Sequence, residues 1–256
     1  MNNDTPPPLP PATQKSKKKG CLIGSVIAAG VGLLLVILLL PAIMTIFHSP
    51  RTTSLKLKGR GIWSAIITEN KERKEKGLPL LWPGDLAKQG ITFANAEAYF
   101  TYLMSDGSNT TVIACDWEQR LVPDLKPESL TAPGLTAAKP GEPVLPENNA
   151  WHVVVVSDES PSEMPFLVSR NAKASFFSYS TAAEFQTPEA VEKSMLIPLN
   201  KSLIKSHSKR VATWVTYGGA TLDARSREFT RARLCPVAQP EGEPPLNVLP
   251  AQGGFK

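Results

Sequence analysis

The chain has 256 residues, of which 42% are hydrophobic and 20% charged, with 24 prolines, 3 cysteines and a formal net charge of +5. This length allows one or two domains with a core, and the composition excludes a wholly disordered chain, a collagen and a disulfide-dense scaffold. Residues 1–20 carry four basic and one acidic residue (+3), residues 51–76 carry eight and three (+5), and residues 77–256 carry 16 and 19 (−3). Because the long C-terminal part is slightly acidic, the charge does not indicate nucleic-acid binding.

The first twenty residues form a polar, proline-rich leader that ends in a cluster of lysines. Such a composition buries too little apolar surface to fold, so we expect residues 1–20 to be a disordered basic leader. The lysines of the cluster are Lys15, Lys17, Lys18 and Lys19.

The segment 21–47 is almost wholly apolar and contains no charged residue. At about 1.5 Å rise per residue, its 27 residues give roughly 40 Å of helix, which is enough to cross a bilayer. A cleaved secretory signal would have a shorter apolar region and an A-x-A-like site, and neither is present. We therefore predict a transmembrane helix with a kink at Pro41. The lysine cluster favours an N-terminus in the cytoplasm, so the C-terminal domain would lie outside it.

Residues 48–76 continue with apolar side chains at helical spacing, namely Leu55, Ile62 and Ile66 with Trp63 beside them. Gly77 directly after this segment is typical of a helix C-terminus. This pattern predicts a helical stalk in which Ile62, Trp63 and Ile66 pack the helix against a sheet.

The segment 77–235 reads as an α+β extracytoplasmic head. Asn95 and Thr187 are good N-caps, which predicts one amphipathic helix from Asn95 to the SDG turn and a short helix beginning at Thr187. Strand-like runs occupy residues 110–117, 151–158, 164–170 and 210–219, and the second and third suit an antiparallel hairpin. Residues 119–149 contain six prolines and predict a surface excursion, and residues 236–256 predict a flexible tail.

No catalytic or metal-binding motif stands out. The sequence contains no G-x-S-x-G, G-x-x-x-x-G-K-[ST], H-E-x-x-H or C-x-x-C pattern. The three histidines, His48, His152 and His207, belong to unrelated segments. We therefore expect no cofactor and no enzymatic activity.

Two further patterns bear on the head. Cys115 and Cys235 could form one disulfide in an oxidising compartment, and the sequence leaves open whether they approach each other. Arg225, Arg227, Arg231 and Arg233 alternate as in a strand. This alternation favours a charge-guarded edge strand over an anion-binding surface.

The order of these parts resembles the type IV pilin-like proteins and the pseudopilins of type II secretion. The resemblance rests on a lysine-rich leader ending in Gly20, an apolar helix containing Pro41, a helical continuation and a small antiparallel sheet. Four sequence segments are more specifically similar to pilin-like ectodomain proteins of Verrucomicrobia-type bacteria. They are GRGIWSAIITENKERKEKGLPLLWP, AYFTYLM, PFLVSRN and WVTYGGA.

The resemblance implies a leader cleaved after Gly20, a long N-terminal helix that packs with its neighbours, and a β-sheet head. Two positions depart from the family, which has Phe where this chain has Cys21 and Glu where it has Ser25. A hydroxyl cannot neutralise a buried N-terminal ammonium as a carboxylate can.

The resemblance predicts a non-enzymatic, single-pass protein of the bacterial cytoplasmic membrane with a periplasmic head. Its partners would be the lipid bilayer and other pilin-like subunits, secretion-apparatus proteins or further copies of the chain, and not nucleic acid. The alternative is a permanently tethered binding module for an envelope ligand or partner protein.

Overall fold

The computed structural model describes residues 53–108, 111–132, 135–200, 211–239 and 245–252. Within these ranges, none of the helices combines the length and the apolar character that a bilayer crossing requires. The predicted leader at 1–20 and membrane span at 21–47 lie outside the described residues.

The described part of the chain is α+β, as the sequence predicts. Helix α1 covers residues 53–75. The other helices are α2 (Pro83–Lys88), α3 (Ala96–Met104), α4 (Pro127–Leu130), α5 (Pro188–Lys193) and α6 (Arg231–Leu234). The strands are β1 (Trp151–Val154), β2 (Pro165–Ser169), β3 (Val211–Thr216), β4 (Thr221–Arg225) and β5 (Val248–Leu249). They form one antiparallel sheet in the order β4-β3-β2-β1-β5.

Helix boundaries follow the local capping signals. The Asn95 side chain accepts a hydrogen bond from the N–H of Ala98 (2.8 Å), and Thr187 caps α5 in the same way. Gly77 follows α1 with a φ of +63°, the left-handed conformation that ends many helices. These three predictions are confirmed, because each depends only on residues within one turn of the helix end.

The predicted strand at 110–117 is wrong over its described residues. Residues 111–116 form turns and irregular chain, and a 3-10 helix begins at Trp117. The Asp116 side chain accepts a hydrogen bond from the N–H of Glu118 (3.0 Å), and this local bond favours the turn. The N–H groups of Ile113 and Ala114 bond to two unrelated parts of the chain, so no ladder forms.

The proline-rich segment 119–149 is not a surface excursion, contrary to the prediction. It contributes fully buried side chains to the core, among them Val122, Leu125 and Leu130. The N–H of Val122 donates to the carbonyl of Leu103 in α3 (3.0 Å), which fixes the segment against that helix. Isolated apolar residues between prolines have no periodicity, so only the tertiary contacts show that they are buried.

The prediction of a loose tail from Pro236 does not hold for residues 245–252. Strand β5 pairs with β1, matching Leu249 with Val153, and Leu249 is buried. The N–H of Val155 also donates to the carbonyl of Asn247 (2.9 Å). The sheet edge supplies hydrogen-bond partners that the isolated tail lacks.

The sheet is covered on both faces. On one face, Lys56 at the start of α1 pairs with Asp223 of β4 (2.8 Å), and Gly59 lies against Val215 of β3. On the other face, Trp214 of β3 packs against Phe229, with ring centroids 5.4 Å apart. Residues that alternate along β3 therefore face either α1 or the segment that carries α6.

Candidate functional site

Four of the residues singled out by the sequence, Gly20, Cys21, Ser25 and Pro41, lie outside the described residues. The other predicted packing residues meet at the junction between α1 and the sheet. Ile62 and Ile66 are fully buried, and Trp63 is half-buried.

Gly59 allows α1 to approach the sheet closely. A Cβ atom at this position would lie 2.8 Å from the Trp151 ring and 2.8 Å from the Val215 side chain, distances that real Cβ atoms do not show. By contrast, a Cβ at Gly61, two residues further on, would meet only Ser129 Oγ at 3.8 Å. From the sequence, Gly59 and Gly61 suggest a local loosening of the helix, whereas α1 is continuous through both and Gly59 is a contact with the sheet.

Trp63 fixes the far end of this junction. Its Nε1–H donates to the carbonyl of Tyr217 (2.7 Å), and its ring covers Gly219 in the turn between β3 and β4. Tyr217 in turn packs against Trp82, with centroids 5.0 Å apart. Helix α1 is therefore held to the sheet by apolar burial, by a hydrogen bond and by two glycines.

A buried polar network, which no sequence motif indicates, holds the C-terminal segment. Glu97 Oε1 accepts hydrogen bonds from Asn149 Nδ2 (3.1 Å) and from the N–H of Gln252 (2.9 Å). Burial raises the pKa of this carboxyl. Glu97 lies on the buried face of α3 with Phe100 and Met104. A charged residue on an apolar helix face is unusual, and this position is the only sequence feature that indicates the network.

His152 belongs to the same region. Its Nδ1 accepts from the N–H of Ala251 (2.9 Å), so its Nε2–H donates to the carbonyl of Ala172 (2.9 Å). Burial lowers the pKa of His152 from 6.5 to about 4. Both ring nitrogens are used in holding the main chain, and this histidine is therefore a structural residue.

The two cysteines of the head do not form a disulfide in the structure. Cys115 is an exposed free thiol and Cys235 a buried free thiol. Burial raises the pKa of Cys235 to about 11, which makes its thiolate scarce at neutral pH.

The arginine run divides among strand β4, the turn that follows it and contains Arg227, and helix α6. Arg225 lies in the edge strand β4, as predicted, whereas Arg231 and Arg233 belong to helix α6, so the strand prediction is wrong there. Arg231 Nη2 pairs with Glu184 (2.8 Å), and both side chains are largely buried. Arg233 lies 3.8 Å from a carboxylate oxygen of Glu192.

A cavity of about 250 Å³ lies between the β3–β4 hairpin and α6. The side chains that line it include Glu163, Trp214, Thr216, Ala220, Leu222 and Arg233. Trp214 is 3% exposed, and its Nε1–H has no hydrogen-bond acceptor among the described residues. Leu222 is 42% exposed although it belongs to the sheet. The cavity thus combines an apolar wall with two side chains of opposite charge, Glu163 and Arg233.

Within the described ranges, no group of three or more histidine, cysteine, aspartate or glutamate residues is arranged to hold a metal ion. Comparisons of the chain with protein-family models, curated proteins and solved structures give no match.

Proposed function

We propose that the chain is a non-enzymatic, pilin-like protein, anchored in the bacterial cytoplasmic membrane by its apolar segment 21–47 and carrying its α+β head in the periplasm. It assembles, or contacts a secretion or pilus-type apparatus, through the N-terminal helix. The observation that carries this proposal is the way in which α1 is fixed to the antiparallel sheet: Gly59 and Trp63 lock the helix that follows the apolar segment onto one sheet face.

The two sides of α1 support this assignment. One side, with Leu55, Ile62 and Ile66, is buried against the core. The other side carries the exposed residues Leu57 and Ser64, and Leu57 is 65% exposed. A helix that is fixed on one side and free on the other can present its free side to a neighbouring helix while the head stays folded.

The test is the intact mass of the protein from native membranes. Prepilin-type processing predicts a chain that starts at Cys21, with or without an added methyl group, found in the membrane fraction. A matched Gly20→Val variant should retain the leader if the peptidase requires a small residue before the cleavage point. A wild-type chain that starts at Met1 would contradict processing, and recovery in the soluble fraction would contradict anchoring.

The second candidate is a permanently tethered binding module, which the cavity beside Trp214 favours. The two proposals differ in a measurable way. Assembly predicts oligomers in mild detergent that are lost when charged residues interrupt the segment 21–47. A binding module predicts a full-length chain that is monomeric in detergent and whose tryptophan fluorescence changes when an envelope extract is added. Because the chain has 5 tryptophans, this change should be lost in Trp214→Phe.

A further inference from the structure

In the part of the chain that the structure describes, no strand pairs with the outer edge of strand β4. In the hairpin with β3, the N–H of Thr216 donates to the carbonyl of Ala220 (2.9 Å) and the carbonyl of Thr216 accepts from the N–H of Gly219 (2.9 Å), so Thr216 occupies a hydrogen-bonded position of the ladder. Hydrogen-bonded and non-hydrogen-bonded pairs alternate along an antiparallel ladder, which makes Trp214 and Leu222 the next hydrogen-bonded pair. The main-chain groups of Thr221 and Asp223 therefore point away from β3.

Within the ranges that the structure describes, the outward N–H and C=O groups of Thr221 and Asp223 have no main-chain partner. β4 is also the last strand in the sheet order. Such an edge is a template for another strand. The free edge is short, because the carbonyl of Arg225 accepts the N–H of Glu228 (2.8 Å) and the chain turns away.

The side chain in the middle of this edge is apolar. Leu222 is 42% exposed and lies at the cavity that Trp214 and Ala220 also line. Its two neighbours on the edge, Thr221 and Asp223, point to the opposite face, where Lys56 neutralises Asp223 at 2.8 Å. The edge therefore has the exposed Leu222 on the face with the cavity, and the ion pair of Asp223 with Lys56 on the opposite face.

We propose that this edge pairs antiparallel with the same edge of a second copy of the chain, about a two-fold axis at Leu222. The inference rests on the proposed function, in which the protein assembles, and adds a contact made by the head. In this register Thr221 of each copy lies opposite Asp223 of the other, so all the outward main-chain groups of both residues are used. The two Leu222 side chains then face each other and cover the cavity mouths.

The other symmetric registers are poorer. An axis at Asp223 would set two carboxylates directly opposite each other, which is unfavourable. It would also require the carbonyl of Arg225, which is already occupied by Glu228. An axis at Thr221 would pair Asp223 with Gly219, which is in the turn and has a φ of +84°. Of the three positions of the two-fold axis, the one at Leu222 therefore gives the most favourable pairing of two identical edges.

The test uses disulfide cross-linking of the full-length chain in mild detergent, in a Cys21→Ser, Cys115→Ser background. In a non-hydrogen-bonded antiparallel pair the Cα atoms are about 4.5 Å apart, within the range of a disulfide. Leu222→Cys should therefore give a covalent dimer under mild oxidation. In the same register the two Asp223 positions are diagonal neighbours, roughly 7 to 8 Å apart. Asp223→Cys, the matched control, should stay monomeric under the same oxidation.

A Leu222→Cys chain that stays monomeric would overturn the pairing, and so would an Asp223→Cys chain that cross-links equally well. If oligomers persist without the Leu222→Cys cross-link, the edge pairing fails while assembly through the N-terminal helix stands. If the cross-link forms in a chain that is not recovered with membranes, the pairing stands and the proposed anchoring fails.

A second readout needs no cross-link. Leu222→Lys should raise the dissociation constant of the dimer at least tenfold, as measured by sedimentation in detergent, because it places a charge at the centre of the pairing. Leu78→Lys is the matched control, since Leu78 is similarly exposed (46%) and lies outside the sheet. Equal dissociation constants for the two variants would overturn the pairing, and a small molecule filling the cavity would be the better explanation of the exposed Leu222.

Discussion

The indole ring of Trp63 occupies the space that a side chain at Gly219 would need. A Cβ atom built on Gly219 would lie 2.7 Å from Trp63 Cζ2, and Gly219 also has a φ of +84°. The same ring donates its N–H to the carbonyl of Tyr217 in the same turn. The β3–β4 turn and helix α1, separated by about 150 residues in the chain, are thus fitted to each other.

The first prediction concerns Gly219→Ala. We expect this variant to lose about 1 to 3 kcal/mol more of the free energy of unfolding than Gly141→Ala, because it adds a clash with Trp63 to the strain of a positive φ. Gly141 is the matched control, since it has a φ of +79° and nothing within 4 Å of its added Cβ. Urea unfolding of both variants measures the difference. Equal losses would show that Trp63 does not constrain this turn.

The second prediction compares two glycines in α1. Gly59→Ala should destabilise the protein by about 1 to 3 kcal/mol, because the added methyl group clashes with Trp151 and Val215. Gly61→Ala should stabilise it by about 0.5 to 1 kcal/mol, because alanine has the better helix propensity and the site is open. The midpoint of urea unfolding, compared with wild type, should be lower for Gly59→Ala and higher for Gly61→Ala. A stabilising Gly59→Ala would contradict the close approach of α1 to the sheet.

The third prediction concerns pH. The pKa of His152 falls from 6.5 in the unfolded chain to about 4 in the fold, so the unfolded state binds more protons between these values. Stability should therefore fall as the pH drops from about 6.5 to about 4, by up to about 3 kcal/mol at 1.36 kcal/mol per pH unit.

His152→Gln keeps a hydrogen-bonding side chain without this titration. The difference in unfolding free energy between wild type and His152→Gln, followed over the same pH range, isolates the histidine from Glu97 and the other carboxylates. A difference that does not change with pH would contradict a buried, neutral His152.

The fourth prediction concerns the thiols. In a Cys21→Ser background, native protein prepared without reductant should react with a thiol reagent at Cys115 only, and Cys235 should react after unfolding. The reason is that Cys115 is exposed, whereas Cys235 is buried with a pKa raised to about 11. Mass spectrometry of the labelled chain counts the sites. Absence of labelling in both states, reversed by reductant, would mean that Cys115 and Cys235 form a disulfide.

The sequence identified those elements whose signals are local. Asn95, Thr187 and Gly77 mark helix ends because a cap needs only the adjacent turn, and the buried stripe of Leu55, Ile62 and Ile66 follows from helical spacing. The hairpin of β1 and β2 followed from two apolar runs with a short polar connection.

Predictions from the sequence were wrong where the local structure depends on contacts with residues far along the chain. Residues 111–117 have strand-like composition, yet no described strand pairs with them, and the local hydrogen bond at Asp116 favours a turn. Arg231 looked like a strand residue and instead pairs from a helix with Glu184, 47 positions earlier in the chain.

By itself, therefore, the sequence determined the helix caps, the apolar faces and the charge distribution, since these depend on composition and spacing within a few residues. Only the tertiary structure decided that Gly59 and Trp63 fix α1 to the sheet, that β4 is the last strand of the sheet among the described residues, and that Leu222 lies exposed beside a cavity. These features are contacts between segments that are distant in the sequence, and such contacts form only when the whole chain packs.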